Sequence, residues 1–292
     1  MTEMVRYAIQ HNSRYQYREP VARSVMWICL EPRSDFDQNV RRFEANTEPS
    51  VYLSPETDPF GNNKHFITVN FEHDSLVISA NSEVDNIAAA RLPSAMESGA
   101  WQEIASWKNS FEHWHYTHES PMTIASPALD DFVTKYRIGS GSDPVESLLR
   151  LGDTLFRNFE YTPGSTNAAS KIEEILETRQ GVCQDYAHVM IAIARSWGIP
   201  TRYVSGYMYL TGMYGEQVSE SATHAWVECL LPDLGWFGFD PTNTTIADER
   251  HVRIAVGRDY LDVSPTRGIL IDGEPSTLDA TVKMEVIPFS SV

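Results

Sequence analysis

Between Tyr7 and Val84 apolar and polar residues alternate in short stretches, as in "RYAIQHNSRYQY", "FITVNF" and "SLVISANSEV", separated by turn formers such as "SPETDPFGNNK". Period-two alternation broken by Gly, Pro and Asn predicts short strands with one buried face, closed as a sandwich or small barrel. Within it, "DPFGNN" (58–63) has the residues of a tight turn. After Val84 the period changes. "SPALDDFVTKY" and "DPVESLLRLGDTLFRNFEY" repeat apolar residues at three- and four-residue spacing and predict helices, the second starting at Asp143 as N-cap with Pro144 behind it and running to about Phe159.

"KIEEILETRQ" predicts a further helix ending at Gly181, and "CQDYAHVMIAIARSWG" one from Cys183 to Gly198 that is apolar on most faces and therefore buried. Three strand-like runs follow, "TRYVSGYMY", "THAWVECLL" and "GWFGFDPT", the last two joined by "PDLG" at hairpin length. The tail "ILIDGEPSTLDATVKMEVIP" returns to strand patterning and is compatible with packing on either part. The fold class expected is α+β, with a β-sandwich-like domain at 1–88 and a helix-then-sheet domain with a C-terminal β tail at 89–292.

The composition is globular, with 42% hydrophobic and 22% charged residues among 292. A net charge of −17 opposes binding to phosphate backbones and anionic membranes, and neither a membrane span nor a signal-peptide pattern is visible, so the expectation is a cytoplasmic protein without nucleic-acid or membrane partners. Three cysteines do not make a disulfide framework. Cys29 and Cys229 lie in apolar strand-like runs, where cysteine acts as a small hydrophobe; Cys183 stands at a helix start, where it is either packing or a nucleophile.

A helix N-terminus carries partial positive charge and free N–H groups, which favour a thiolate and the oxyanion formed after its attack. Such a thiol needs an imidazole base, and the imidazole an acceptor on its far nitrogen. His224 opens one predicted strand and Asp240 closes the next, so a hairpin can bring the pair together.

With these residues, "TRQGVCQDYAHVMIAIARSWGIPTRYVSGYMY", "THAWVE" and "GWFGFDPT" resemble the papain-like core of the bacterial transglutaminase-like superfamily, and the β module with its "DPFGN" resembles the domain that precedes that core. The resemblance implies thiolate attack on an amide or ester carbonyl, an acyl-thioester, and release to water or an amine. Residue by residue it implies Cys183 as nucleophile, His224 as general base and acid, and Asp240 as orienting acceptor. Animal transglutaminases have "GQCW" at the nucleophile where this chain has "GVCQ", which shifts the expectation from cross-linking towards cysteine-dependent amide or peptide hydrolysis. Amine transfer and a catalytically silent peptide-binding module are the alternatives.

The oxyanion hole is expected to use the Cys183 N–H with Tyr161 or Gln184 as second donor. Tyr207, Tyr209 and Tyr214, around the loop "MYLTGMYGEQVSESA", are candidate substrate-binding aromatics. No calcium-loop pattern occurs, and His113, His115 and His118 are not spaced as a ligand set, so no metal or other cofactor is expected. His188 falls on another helix face from Cys183 and reads as a packing residue, and Asp185 as a helix-start charge.

Overall fold

The structure, a computed structural model, describes residues 4–87, 92–93, 95–210, 223–271 and 277–289. The N-terminal region is a run of six strands: β1 (Met4–Val21), β2 (Arg23–Ile28), β3 (Gln38–Glu48), β4 (Ser54–Thr57), β5 (Asn63–Val69) and β6 (His73–Ile87). The helical stretch that follows contains α1 (Ala100–Trp107), α2 (Trp114–Thr117), α3 (Pro127–Lys135) and α4 (Pro144–Asn158). A short strand pair, β7 (Glu160–Tyr161) and β8 (Gln180–Gly181), brackets α5 (Ile172–Thr178) and leads into α6 (Cys183–Ser196). Then come β9 (Thr201–Met208), β10 (Thr223–Leu231), β11 (Gly235–Asp240), β12 (Thr245–Ile246), β13 (His251–Gly257), α7 (Tyr260–Val263), β14 (Thr266–Ile271) and β15 (Thr277–Val286).

The alternation in β1 does what period two requires. Tyr7, Ile9, His11, Ser13, Tyr15 and Tyr17 are buried while the residues between them face outward. Two antiparallel sheets form the β module, in the orders β15-β1-β6-β3 and β14-β2-β5-β4. Between them lie Tyr15, Tyr17, Met26, Ile28, Ile67, Val69, Leu76 and Ile78. The tail thus returns to the N-terminal module: β15 pairs with β1 from Tyr7↔Val286 to Gln16↔Thr277, and β14 pairs with β2.

The other unit is a five-stranded antiparallel sheet, β12-β11-β10-β9-β13, with α6 against one face. Its core contains Val189, Met190 and Ile193 of α6 with Ala225, Val227 and Cys229 of β10, and is continuous with Tyr7, Ile9 and Val84 of the β module. The helix signals act as read: the Asp143 carboxylate accepts the Glu146 N–H at 2.9 Å with Pro144 behind it, and Gly198 leaves α6 with φ 87°.

The β module also caps β13, the edge of the five-stranded sheet, with side-chain amides. Asn62 accepts the Val256 N–H and donates to the Val256 carbonyl, both at 2.8 Å; Gln38 makes the same two bonds with Arg253, also at 2.8 Å. Asn86 donates to the carbonyls of Glu249 and His251 at 2.8 and 2.9 Å. Three amides satisfy backbone groups that an open edge would leave for another strand. The "DPFGNN" turn builds one of them, since Asp58 accepts the N–H groups of Phe60 and Asn62 and the Asn62 amide.

Candidate active site

The approach to Cys183 is held by backbone and one buried carboxylate. Tyr161 pairs with Gly181 across β7 and β8, and a Cβ on Gly181 would meet Ile175 Cδ1 at 2.5 Å and Asp185 Oδ2 at 3.0 Å, so a larger residue there would push both side chains aside. Val182 is the extended N-cap and offers no side-chain acceptor. Its own N–H is taken by Asp185 at 2.8 Å, and the same carboxylate accepts the Thr166 hydroxyl at 2.5 Å. Burial raises the Asp185 pKa, and these two bonds offset part of that rise. Cys183 is the first residue of α6 and half-buried.

His224 reaches this point from the start of β10. Its Nε2 lies 2.7 Å from Asp240 Oδ2, which leaves Nδ1 for the hydrogen bond it shares with Cys183. Burial alone would lower the His224 pKa, but the bonds to Asp240 and Cys183 outweigh it and raise it to about 10. Asp240 is buried, and burial would raise its pKa; the bonds from His224, His251 and Asn243 hold it far below the usual carboxylate range. Asn243 Nδ2 donates to Asp240 Oδ2 at 2.7 Å, and the backbone N–H groups of Thr242 and Asn243 reach Oδ1 at 3.0 and 3.3 Å.

His251, at the head of β13, adds a further donor. Its Nε2 is 3.3 Å from Asp240 Oδ2, and its Nδ1 is 3.0 Å from Asp248 Oδ1, which is itself bound to Arg250. The Trp226 indole packs beside both histidines, with ring centroids 6.1 Å from His224 and 5.2 Å from His251. Gly206 makes room for it: a Cβ there would meet the indole Cη2 at 2.5 Å. Among the described residues His224, Asp240 and His251 are the one group close enough to hold a metal ion, and here both imidazoles are hydrogen-bonded to the carboxylate.

Of the other candidates, Tyr161 is half-exposed and close enough for the Cys183 and Asp240 charges to raise its pKa, after burial, which raises it most. Gln184 is half-buried beside Cys183. Tyr207 does not line a cleft: it is buried, and its hydroxyl bonds His11 Nδ1 at 2.8 Å, tying β9 to the β module. Tyr209 packs on Tyr7 with centroids 5.3 Å apart, and Tyr214 lies outside the described residues, as do positions 211–222 of its loop. His188 is a packing residue: it accepts the Tyr260 N–H at 3.2 Å, and burial lowers its pKa to about 3. His113 and His118 stack on Trp107 and Trp114, and His115 meets Phe60 edge-on, so the three serve packing.

His251, Asn243 and Asp248 are additions that the sequence reading missed. A polar residue heading an apolar strand marked His224, and "HVRIAVG" repeats that signal at His251.

Residues 133–241 match the transglutaminase-like superfamily and residues 7–85 the bacterial transglutaminase-like N-terminal region. The chain belongs to the transglutaminase-like superfamily, in the form that carries the bacterial N-terminal domain. An uncharacterised protein of Mycobacterium tuberculosis (strain H37Rv) is 31% identical over 296 residues, covering 97% of this chain and 93% of the relative. The protein-glutamine gamma-glutamyltransferase of Pseudomonas aeruginosa is 34% identical over 128 residues, 40% of this chain but 19% of that protein. The crystal structure of a candidate cysteine protease from Cytophaga hutchinsonii superposes with a TM-score of 0.77 at 18% identity, over 100% of this chain and 95% of the other, and shares the fold.

Proposed function

We propose that the protein is a cysteine-dependent acyl-transfer enzyme that hydrolyses an amide or peptide bond through a Cys183–His224–Asp240 triad. The observation that carries this is the unbroken chain from thiol to imidazole to buried carboxylate, set at the N-terminus of a helix. His224, with its raised pKa, holds the proton that Cys183 gives up, and Asp240 stabilises the imidazolium. The thiolate adds to the substrate carbonyl carbon, and the Cys183 N–H and the Tyr161 hydroxyl receive the oxyanion. Collapse breaks the C–N bond as His224 protonates the departing amine, leaving a thioester on Cys183. His224 then takes a proton from water, hydroxide adds to the thioester, and the acid leaves as the thiol is regenerated.

The Tyr161 phenol, whose pKa burial raises further above its ordinary value of about 10, is neutral at pH 7 and able to donate. Amine transfer is the second reading, favoured by the similarity of part of this chain to the Pseudomonas aeruginosa gamma-glutamyltransferase; an amine would then replace water in the last step. The peptide-binding alternative leaves Cys183 as an ordinary thiol.

The test is the pH dependence of Cys183 alkylation by iodoacetamide in the wild type and in His224→Ala. Rapid reaction persisting well below the free-thiol pKa of about 8.5, and lost in the variant, is the expected result. A wild-type profile that rises only near that value sinks the proposal. Product analysis with and without an added primary amine then separates hydrolysis from transfer.

A further inference from the structure

The β module meets the five-stranded sheet at β13, and β13 carries His251. That one residue is gripped from both sides. Its carbonyl accepts the Asn86 amide from β6 at 2.9 Å, and its ring lies between Asp240 at 3.3 Å and Asp248 at 3.0 Å. The ring is buried, and the groups around it are His224 and Asp240 of the triad, Asp248 with its Arg250 partner, and the Trp226 face.

The hydrogen-bond roles fix where the ring proton points. Nδ1 faces both the Asp248 N–H at 3.1 Å and the Asp248 carboxylate at 3.0 Å, so it either accepts from the first or donates to the second. Facing the ionised Asp240 carboxylate, which can only accept, Nε2 carries a proton in both cases: the first is the neutral Nε2–H tautomer, the second an imidazolium with both nitrogens protonated. Asp240 Oδ2 therefore receives His224, Asn243 and His251 at once.

Resting on the triad reading above, we propose that His251 is a positioning residue: it holds the Asp240 carboxylate in the plane that presents Oδ2 to His224, and Asn86 of the β module holds His251 in turn. The N-terminal domain is then part of the machinery that sets the geometry of Cys183's base. A buried carboxylate with every lone pair directed has one orientation, whereas loss of one donor frees it to rotate towards the others.

The test uses the full chain with 15N-labelled histidine and reads the His224 Nε2–H proton in the His224–Asp240 hydrogen bond by NMR at pH 7. The variants are His251→Leu, His251→Gln and Asn86→Ala, with thermal unfolding run in parallel. In the wild type this proton is expected at low field and slow to exchange. His251→Leu loses it or shifts it upfield, His251→Gln restores it through the amide donor, and Asn86→Ala shifts it in the same direction as His251→Leu by less.

A signal unmoved in both His251→Leu and Asn86→Ala overturns the proposal, as does equal loss in His251→Leu and His251→Gln. If His251→Leu does not fold, Asn86→Ala and His251→Gln decide. Should the signal respond as expected while wild-type Cys183 alkylates as an ordinary thiol, the positioning role stands and the acyl-transfer reading falls.

Discussion

Single side chains decide the pH behaviour. His224 has its folded pKa raised above the unfolded value of about 6.5. Its contribution to stability is therefore complete below pH 6.5 and is lost as the pH rises through about 10. His188 has the opposite sign: with a folded pKa of about 3, its contribution is complete above 6.5 and is lost as the pH falls towards 3. Melting temperatures from pH 4 to pH 10 should fall less steeply on the alkaline side in His224→Gln and on the acid side in His188→Gln; unchanged slopes would refute the assignment. Residues of this kind were unevenly legible in the sequence. His224 and Asp240 stand at the ends of adjacent strands, so local geometry pairs them, whereas His251 reaches Asp240 from a strand three places away in the sheet order that only tertiary packing reveals. Tyr207 in β9 and Tyr209 just past its end are both covered by another module, and nothing local says whether such residues meet substrate or protein.

At the scale of elements, the start of α6 lacks a side-chain cap. A valine at the N-cap leaves the first-turn N–H groups without the oxygen that a serine would provide, a difference of about 1 kcal/mol. Val182→Ser should raise the unfolding free energy by about that amount and slow Cys183 alkylation, because the new oxygen draws on the N–H groups that favour the thiolate. Denaturant titration and alkylation rates would show both; a more stable variant with unchanged reactivity would refute this account. In β9, Gly206 lies under the Trp226 ring and against the Val252 carbonyl. Gly206→Ala should cost about 1–3 kcal/mol by overpacking, and because Trp226 packs beside His224 and His251 it should slow alkylation too. Helix boundaries were readable because caps and period agree locally, as at Asp143 and Gly198. The partner of the C-terminal strands was not, since β15 pairs with a strand more than 250 residues earlier and its alternation suits either module.

For the whole molecule, the two units are held by ion pairs as well as by the shared core. Arg253 of β13 binds Glu228 of β10 at 3.1 Å and also Asp37 of the β module, while Arg202 binds Glu228 at 2.6 Å. Replacing Arg253 by Met leaves Glu228 with a single partner and frees the module contact. The loss is expected to be about 3–5 kcal/mol, the range for breaking a buried pair, read by denaturant titration against the wild type. Among the described residues no helix is long and apolar enough to cross a membrane.

The pairing of β15 with β1 carries one more consequence. The five-stranded sheet and α6 are encoded between the two halves of the β module, so during synthesis this stretch leaves the ribosome before strands 266–271 and 277–286 exist. Val282 and Met284, buried between the units, arrive with β15. The stretch that carries Cys183, His224 and Asp240 is therefore made before the module that braces it is complete, and only the two later strands close that scaffold.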